Sequence, residues 1–311
     1  MICAKKLKYI SLGLGALTMM GAGQAAFAHA SILNTVNSGK AIGSTSFSRI
    51  GVNHACNGTT PITPVVAQSA VIPTIAPIIS TATVTNNVAG AYTAQAGATV
   101  GQYLFTTSAA ATPVTTLAGL FQLVQSKDVF STSIEQRNAA NAVIGWVSTK
   151  GSLQLNEHGE VPFRFTNVFF GANSCVHDVV VQLAVADICK TNSMPLSSAS
   201  LSTTQGVNLW LDSTLGGSPA FPQAAIEAGA GTTNLTINRD PVQDPYPASC
   251  AHAPIVTAVD NVAATIQANA PATYTTGATA LTSVKIQPSA ADIEQLQFPG
   301  WGTPVTGNTF Q

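Results

Sequence analysis

The sequence predicts a mainly β fold, an antiparallel β-sandwich of immunoglobulin-like or related type with one or two short helices. Three observations lead there. Charged residues make up 8% of the 311, far below the usual quarter, which leaves too few for long salt-bridged helical surfaces. Thr- and Val-rich runs are punctuated by 17 Pro and 25 Gly, the composition of strands and turns. Short segments in which apolar and polar residues alternate recur through the second half, the period of a half-buried strand.

The chain opens with Lys5, Lys6 and Lys8, an apolar run from about Tyr9 to Gly21, and the small residues Ala25, Ala26 and Ala28. This is the pattern of an export leader. The apolar run is short of the roughly 20 residues a membrane span needs, and no later stretch is apolar enough to anchor the chain. The expectation is a leader over 1–28 and a single elaborated β-rich domain over 29–311, with no transmembrane segment after cleavage. Ala26-x-Ala28 and Ala28-x-Ala30 both satisfy the small-x-small rule; the first cut leaves His29 as the first residue, and the second removes it. The location implied is periplasmic or extracellular.

Cleavage after residue 28 leaves 283 residues, with nine basic against 13 acidic side chains for a net charge of −4. That is too acidic and too sparsely charged for a nucleic-acid footprint.

From 31 to 58 the chain reads as two strands around Asn37-Ser38-Gly39, leading to His54-Ala55-Cys56-Asn57-Gly58, where Asn-Gly marks a turn. The stretch 60–112 holds no Asp, Glu, Lys or Arg. It reads as short strands and long turns and is a candidate uncharged insertion, or a surface for packing against a neighbour. Leu117, Leu120, Phe121 and Val124 recur at helical spacing, and 133–141 reads as a weaker helix.

The most regular part runs from 142 to 189. Strands are expected over 142–148 and 152–155, with a charged turn at Glu157-His158-Gly159-Glu160. Val161, Phe163 and Phe165 then alternate with Pro162, Arg164 and Thr166, and Val179, Val181, Leu183 and Val185 alternate on the next strand. Between them Gly171-Ala172-Asn173-Ser174-Cys175 is a turn. Strands continue at 207–212, 232–238, 255–260 and 281–286. Asp240-Pro241 and Asp244-Pro245 read as turns, and Ser289 with Asp292 reads as the cap of a short helix.

Cys56, Cys175, Cys189 and Cys250 form an even set, suited to disulfides in an exported chain. Four cysteines allow three pairings. The expected one is Cys175–Cys189 as a local staple across the strand between them, with Cys56–Cys250 closing most of the chain.

The chain has five histidines, His29, His54, His158, His177 and His252. Three stand two residues from a cysteine: His54 to Cys56, His177 to Cys175, His252 to Cys250. A Cys56–Cys250 bond would bring His54 and His252 near each other, and the amine and imidazole of a freed His29 would add nitrogen donors. His29, His54 and His252 are therefore the candidate metal ligands, and imidazole and amine donors suit copper(II). Oxidised cysteines rule out thiolate zinc sites. His177 and His158 read as loop residues.

A first-position histidine followed by Arg49-x-x-x-x-His54-x-Cys56-x-Gly58 resembles the YcnI-like family of bacterial periplasmic copper-binding domains. The resemblance implies a β-sandwich that holds copper through the amine and imidazole of the first residue, a carboxylate and a nearby tryptophan. It covers only the mature N-terminus and the His-x-Cys segment. The chain is much longer than that domain, and neither the carboxylate nor the tryptophan has a matching position here.

The chain carries no Gly-x-Ser-x-Gly elbow, His-Glu-x-x-His pair, phosphate loop, haem-attachment motif or calcium loop. The expected function is an exported, non-enzymatic copper-binding protein acting in acquisition, storage or delivery of the ion. The alternative is a cell-surface adhesion or assembly protein that uses 60–112 to contact other surface or periplasmic proteins. A copper-dependent mono-oxygenase is a further alternative.

Overall fold

A computed structural model describes residues 30–40, 43–52, 63–107, 112–154, 157–189, 207–211, 233–250 and 279–296, and the backbone of 309–310. Among these the chain is mainly β, as its alternating pattern requires, and its sheets pack as a sandwich. β1 (Ser31–Ile32), β2 (Val36–Asn37), β3 (Thr45–Val52), β4 (Val65–Val71) and β5 (Ile78–Thr85) come first, followed by β6 (Val88–Ala89), β7 (Thr93–Ala94), β8 (Leu104–Phe105), β9 (Phe121–Leu123) and β10 (Phe130–Arg137). The longest strand is β11 (Val143–Leu153); β12 (Gly159–Thr166), β13 (Phe169–Phe170), β14 (Val176–Gln182) and β15 (Ala184–Ile188) follow. β16 (Val207–Trp210), β17 (Asn234–Asn238), β18 (Thr282–Gln287), the helix α1 (Ala290–Ile293) and β19 (Thr309–Phe310) complete the order.

Three larger sheets result: β1-β3-β12-β9, β16-β15-β4-β11-β10-β19, and β2-β17-β14-β18-β5-β6 with β7 also on β5. Most pairs are antiparallel, but β14–β18 and β17–β2 are parallel. Because β14 and β15 run on with only Leu183 between them, one extended stretch serves two sheets: β14 pairs β17 and β18, whereas β15 pairs β4 and β16. Its alternation therefore buries Val179, Val181, Leu183 and Val185 in one core. That core also takes Phe163 and Phe165 from β12, Trp146 from β11, Val284 and Ile286 from β18. The Trp146 and Phe163 rings stand 5.6 Å apart, joining two sheets. A second cluster covers β15 and β16 with Ile293 of α1 and Leu296.

Several expectations are corrected. The helix through Leu117 and Val124 is instead a turn followed by β9, because Gly119 sits at φ +79° and its N–H donates to the Val143 carbonyl. Leu117, Phe121 and Leu123 are buried all the same, so the helical spacing came from two unlike segments. The weak helix at 133–141 is mostly β10, paired along its length with β11. The strands at 142–148 and 152–155 are one, β11. Within the uncharged stretch 60–112, β4 lies inside its sheet between β15 and β11, and β5 pairs β18. The exposed part of the stretch is 86–97, starting at a tight hairpin in which Asn86 and Asn87 take φ +52° and +60°, as short polar side chains tolerate.

The turn at Gly171–Cys175, the alternation of β12, and the Ser289–Asp292 cap are as expected. Ser289 Oγ accepts from the Asp292 N–H at 3.2 Å, and Asp292 Oδ2 accepts from the Ser289 N–H at 2.9 Å. The strand expected at 255–260 lies outside the described residues, as do Asn57-Gly58 and the leader.

Candidate functional site

The sheet whose interior strands are β17, β14 and β18 positions the polar residues with the most specific geometry. β14 starts directly after the 171–175 turn. Its first residue, Val176, pairs Thr282, but Asp178, not His177, pairs Ser283. His177 is thus the extra residue of a β-bulge, a device that re-aims one side chain out of the regular alternation.

The bulge places His177 Nδ1 2.8 Å from Asp178 Oδ1. Ser283 Oγ donates to Asp178 Oδ2 at 2.6 Å, and Tyr92 OH stands 2.8 Å from Ser283 Oγ. With the serine proton committed to the carboxylate, the phenol donates to the serine oxygen. Asp178 is a carboxylate held at both oxygens, so His177 takes the tautomer with hydrogen on Nδ1. Its Nε2 then carries the lone pair, on a side chain 24% exposed. Burial raises the Tyr92 pKa, with Asp178 adding to it and the serine contact opposing, so the phenol keeps its proton. Ser283 is fully buried and faces a carboxylate rather than an imidazole; it is an anchor, not an activated nucleophile.

Beside this chain of contacts lies Arg239, which follows β17. Its Nε donates to the Asp244 carbonyl at 2.8 Å, Nη1 to the Ser174 carbonyl at 2.6 Å, and Nη2 to the Pro245 carbonyl at 2.9 Å. The guanidinium also covers the Tyr246 ring at 4.7 Å from its centroid. Burial lowers the Arg239 pKa, and Asp244 opposes that shift; the group stays cationic at any ordinary pH. Burial pushes the Tyr246 phenol up to about 12, against the pull of Arg239. Asp244 itself accepts from Ser38 Oγ at 3.0 Å and the Phe170 N–H at 2.7 Å. Asp244-Pro245 is a turn, as expected, but its carboxylate is a buried structural anchor as well. Asp240 Oδ1 receives the Val242 N–H at 2.9 Å, the side-chain-closed turn expected of Asp-Pro.

The disulfide pairing differs from the expected one. Cys175 is bonded to Cys250, 75 residues on, with 5.4 Å between the α-carbons. Cys189 is disulfide-bonded as well, but not to Cys175. The reason is geometric. Cys175 and Cys189 bracket the nearly continuous β14–β15 run, and a rise of about 3.3 Å per residue sets its ends tens of ångströms apart. A disulfide needs its α-carbons within about 7 Å. With Cys250 taken by Cys175, the Cys56–Cys250 bond is excluded too.

His29, His54, His252 and Cys56 lie outside the described residues. His158 precedes β12 and stands 3.5 Å from Glu160, which also pairs Arg49 at 3.0 Å; this is an exposed ionic group at a sheet end. Among the described residues no three His, Cys, Asp or Glu side chains group closely enough to hold a metal ion, and no helix is long and apolar enough to cross a membrane. A copper ion would need donors from outside the described residues in addition to His177.

Sequence reasoning missed Asp178, Ser283, Tyr92 and Arg239. One local signal was present, the run Cys175-x-His177-Asp178, in which a histidine is followed directly by its carboxylate. Comparison with protein-family models, with curated proteins and with solved structures gave no match.

Proposed function

We propose that the chain is an exported copper-binding protein that acquires, stores or delivers the ion without turnover. The observation that carries this reading is His177, whose Nδ1 is tied to Asp178 while Nε2 remains a lone-pair donor. A carboxylate behind a histidine fixes the ring and raises its basicity, the usual support of a metal-ligating imidazole. The second donor in this reading is His252, which lies outside the described residues and stands two residues from Cys250 in the sequence, as His177 does from Cys175; it takes the place of the His54 partnership first expected. The amine and imidazole of His29 complete the nitrogen set if the leader is cut after residue 28. Copper bound there would supply ion transfer, and the chain's own part is to present neutral imidazoles. Dialysis of the purified mature protein against copper(II), followed by metal analysis, tests the reading. It expects copper to be retained and retention to fall in His177→Ala and His252→Ala; a copper-free dialysed protein removes it.

A second reading, assembly at the cell surface, rests on the stretch 86–97. It is exposed almost throughout, carries no charge, and flanks β5 at the sheet edge through β6 and β7. Edge strands that stay monomeric usually carry charges that repel a second strand. Sedimentation tests this reading: polymers that Val88→Lys disperses would support it, and a monomer at all concentrations would not.

A further inference from the structure

A cleft of about 740 Å³ opens beside the Cys175–Cys250 bond, between the 102–105 segment, the 171–176 turn and the start of β18. None of the described residues that line it is charged, so among them neither an anion nor a cation finds a counter-charge. What it offers is two aromatic side chains, Tyr103 at the end of the 3-10 turn Val100–Gln102 and Phe105 in β8, and a set of amides and hydroxyls. Among the described residues, the side chains of Asn173, Ser249, Thr279 and Thr282 find no hydrogen-bond partner, and neither does the Tyr103 hydroxyl. Gln102 spends its carbonyl oxygen on the Thr99 N–H at 3.2 Å and keeps its amide hydrogens.

The walls are held in place. Arg239 donates to the carbonyls of Gly171, Ser174 and Val176, which fixes the turn that carries Asn173. The disulfide pins Cys175 to Cys250, and the Thr282 N–H donates to the Cys175 carbonyl at 2.9 Å. β8 is paired on one side by β13 and on the other by Pro113 and Val114. No backbone edge of β8 is therefore open for a peptide to extend. Rigid walls lower the ordering cost of binding.

An uncharged, preorganised cleft with aromatic faces and unspent amides and hydroxyls matches one ligand class. The C–H faces of a sugar ring lie on an aromatic side chain, and its hydroxyls exchange hydrogen bonds with amides and hydroxyls. We propose that this cleft binds a neutral saccharide, with Tyr103 and Phe105 as the platform and Gln102, Asn173, Ser249 and Thr282 as its hydrogen-bonding partners. Burial raises the Tyr103 pKa, so its phenol remains a donor throughout the physiological range.

The test is calorimetric titration of the full mature chain with cellohexaose, maltohexaose and chitohexaose, with no added metal. At least one is expected to bind saturably, and Tyr103→Ala is expected to weaken it by about tenfold or more. Asn173→Ala, an exposed position that leaves the core untouched, is expected to weaken it severalfold with an unchanged thermal midpoint. No saturable binding of any of the three sugars, or binding that survives both substitutions together, overturns the proposal.

Discussion

Arg239 and Asp244 hold each other inside the fold, with Nη2 3.4 Å from Oδ1 and both side chains almost wholly buried. Taking two charges out of water costs several kcal/mol each unless every donor and acceptor is met. Here they are met. The guanidinium spends its hydrogens on five carbonyls and this carboxylate, and the carboxylate takes a serine hydroxyl and a backbone N–H besides. The pair thereby knits together β13, the 171–175 turn, β14 and the residues that lead to Cys250.

Removing one charge should cost far more than the pair contributes, because its partner is left buried. Arg239→Met is expected to lower stability by about 3–5 kcal/mol, read as the shift in a urea unfolding midpoint. Arg239→Lys should be nearly as damaging, since an ammonium cannot serve diverging carbonyls and a ring face together. A lysine variant with the parent's midpoint would show that the planar fork is not what the site uses.

The Cys175–Cys250 bond closes a long loop, and the chain-entropy argument puts such a crosslink at about 4 kcal/mol. Peptide mapping under non-reducing conditions should yield one peptide pair containing Cys175 and Cys250. The double replacement Cys175→Ala with Cys250→Ala should lower the midpoint by that order. Recovery of Cys175 bonded to Cys189 would contradict the extended path of β14 and β15.

Asp292 connects α1 to a distant turn. Its Oδ1 accepts the N–H groups of Thr74 and Ile75, both at 2.7 Å, while Oδ2 receives Ser289. Burial raises its pKa, and these hydrogen bonds oppose the rise without cancelling it. An acid whose folded pKa exceeds its unfolded value favours folding most when protonated. Its contribution is fully present below the unfolded pKa of about 4 and declines as pH rises through the folded one. Thermal melts should therefore show the parent losing stability relative to Asp292→Asn as pH climbs through that window. A constant difference would mean the carboxyl titrates alike in both states. Asp292→Ala, which frees three backbone donors at once, should cost about 1–3 kcal/mol.

Much of the fold was legible because it rests on local alternation. Val161, Phe163 and Phe165 point inward for the period-two reason the sequence displays, and Val179 to Val185 do so across two sheets. The helix misread at Leu117 shows where that logic stops. Gly119 breaks the backbone between Leu117 and the apolar residues that follow it, and spacing alone does not reveal the break. Strand β10 was obscured for a different reason. Its Glu135 and Arg137 pair with each other, and Glu135 also takes the Leu123 N–H at 2.9 Å, so polar contacts take the place of the apolar alternation that marks a strand.

The site was less legible because its parts come from far apart. Asp178 meets Ser283 across a parallel pairing of strands more than 100 residues apart, and Tyr92 arrives from the hairpin edge. No spacing rule connects them. The bulge at His177 is set by register with β18, which one strand's sequence does not contain. The disulfide pairing was open for the same reason, and the direction of β14 into β15 decides it.

The central claim is that His177, aimed by Asp178, gives copper a nitrogen. Electron spin resonance of the mature protein loaded with one equivalent of copper(II) tests it most directly, with parent, His177→Ala and Asp178→Asn compared. The expected parent spectrum has nitrogen hyperfine splitting, simplified by one nitrogen in His177→Ala. In Asp178→Asn the splitting should persist while affinity falls about 10–100-fold. An unchanged spectrum and affinity in His177→Ala would contradict the account.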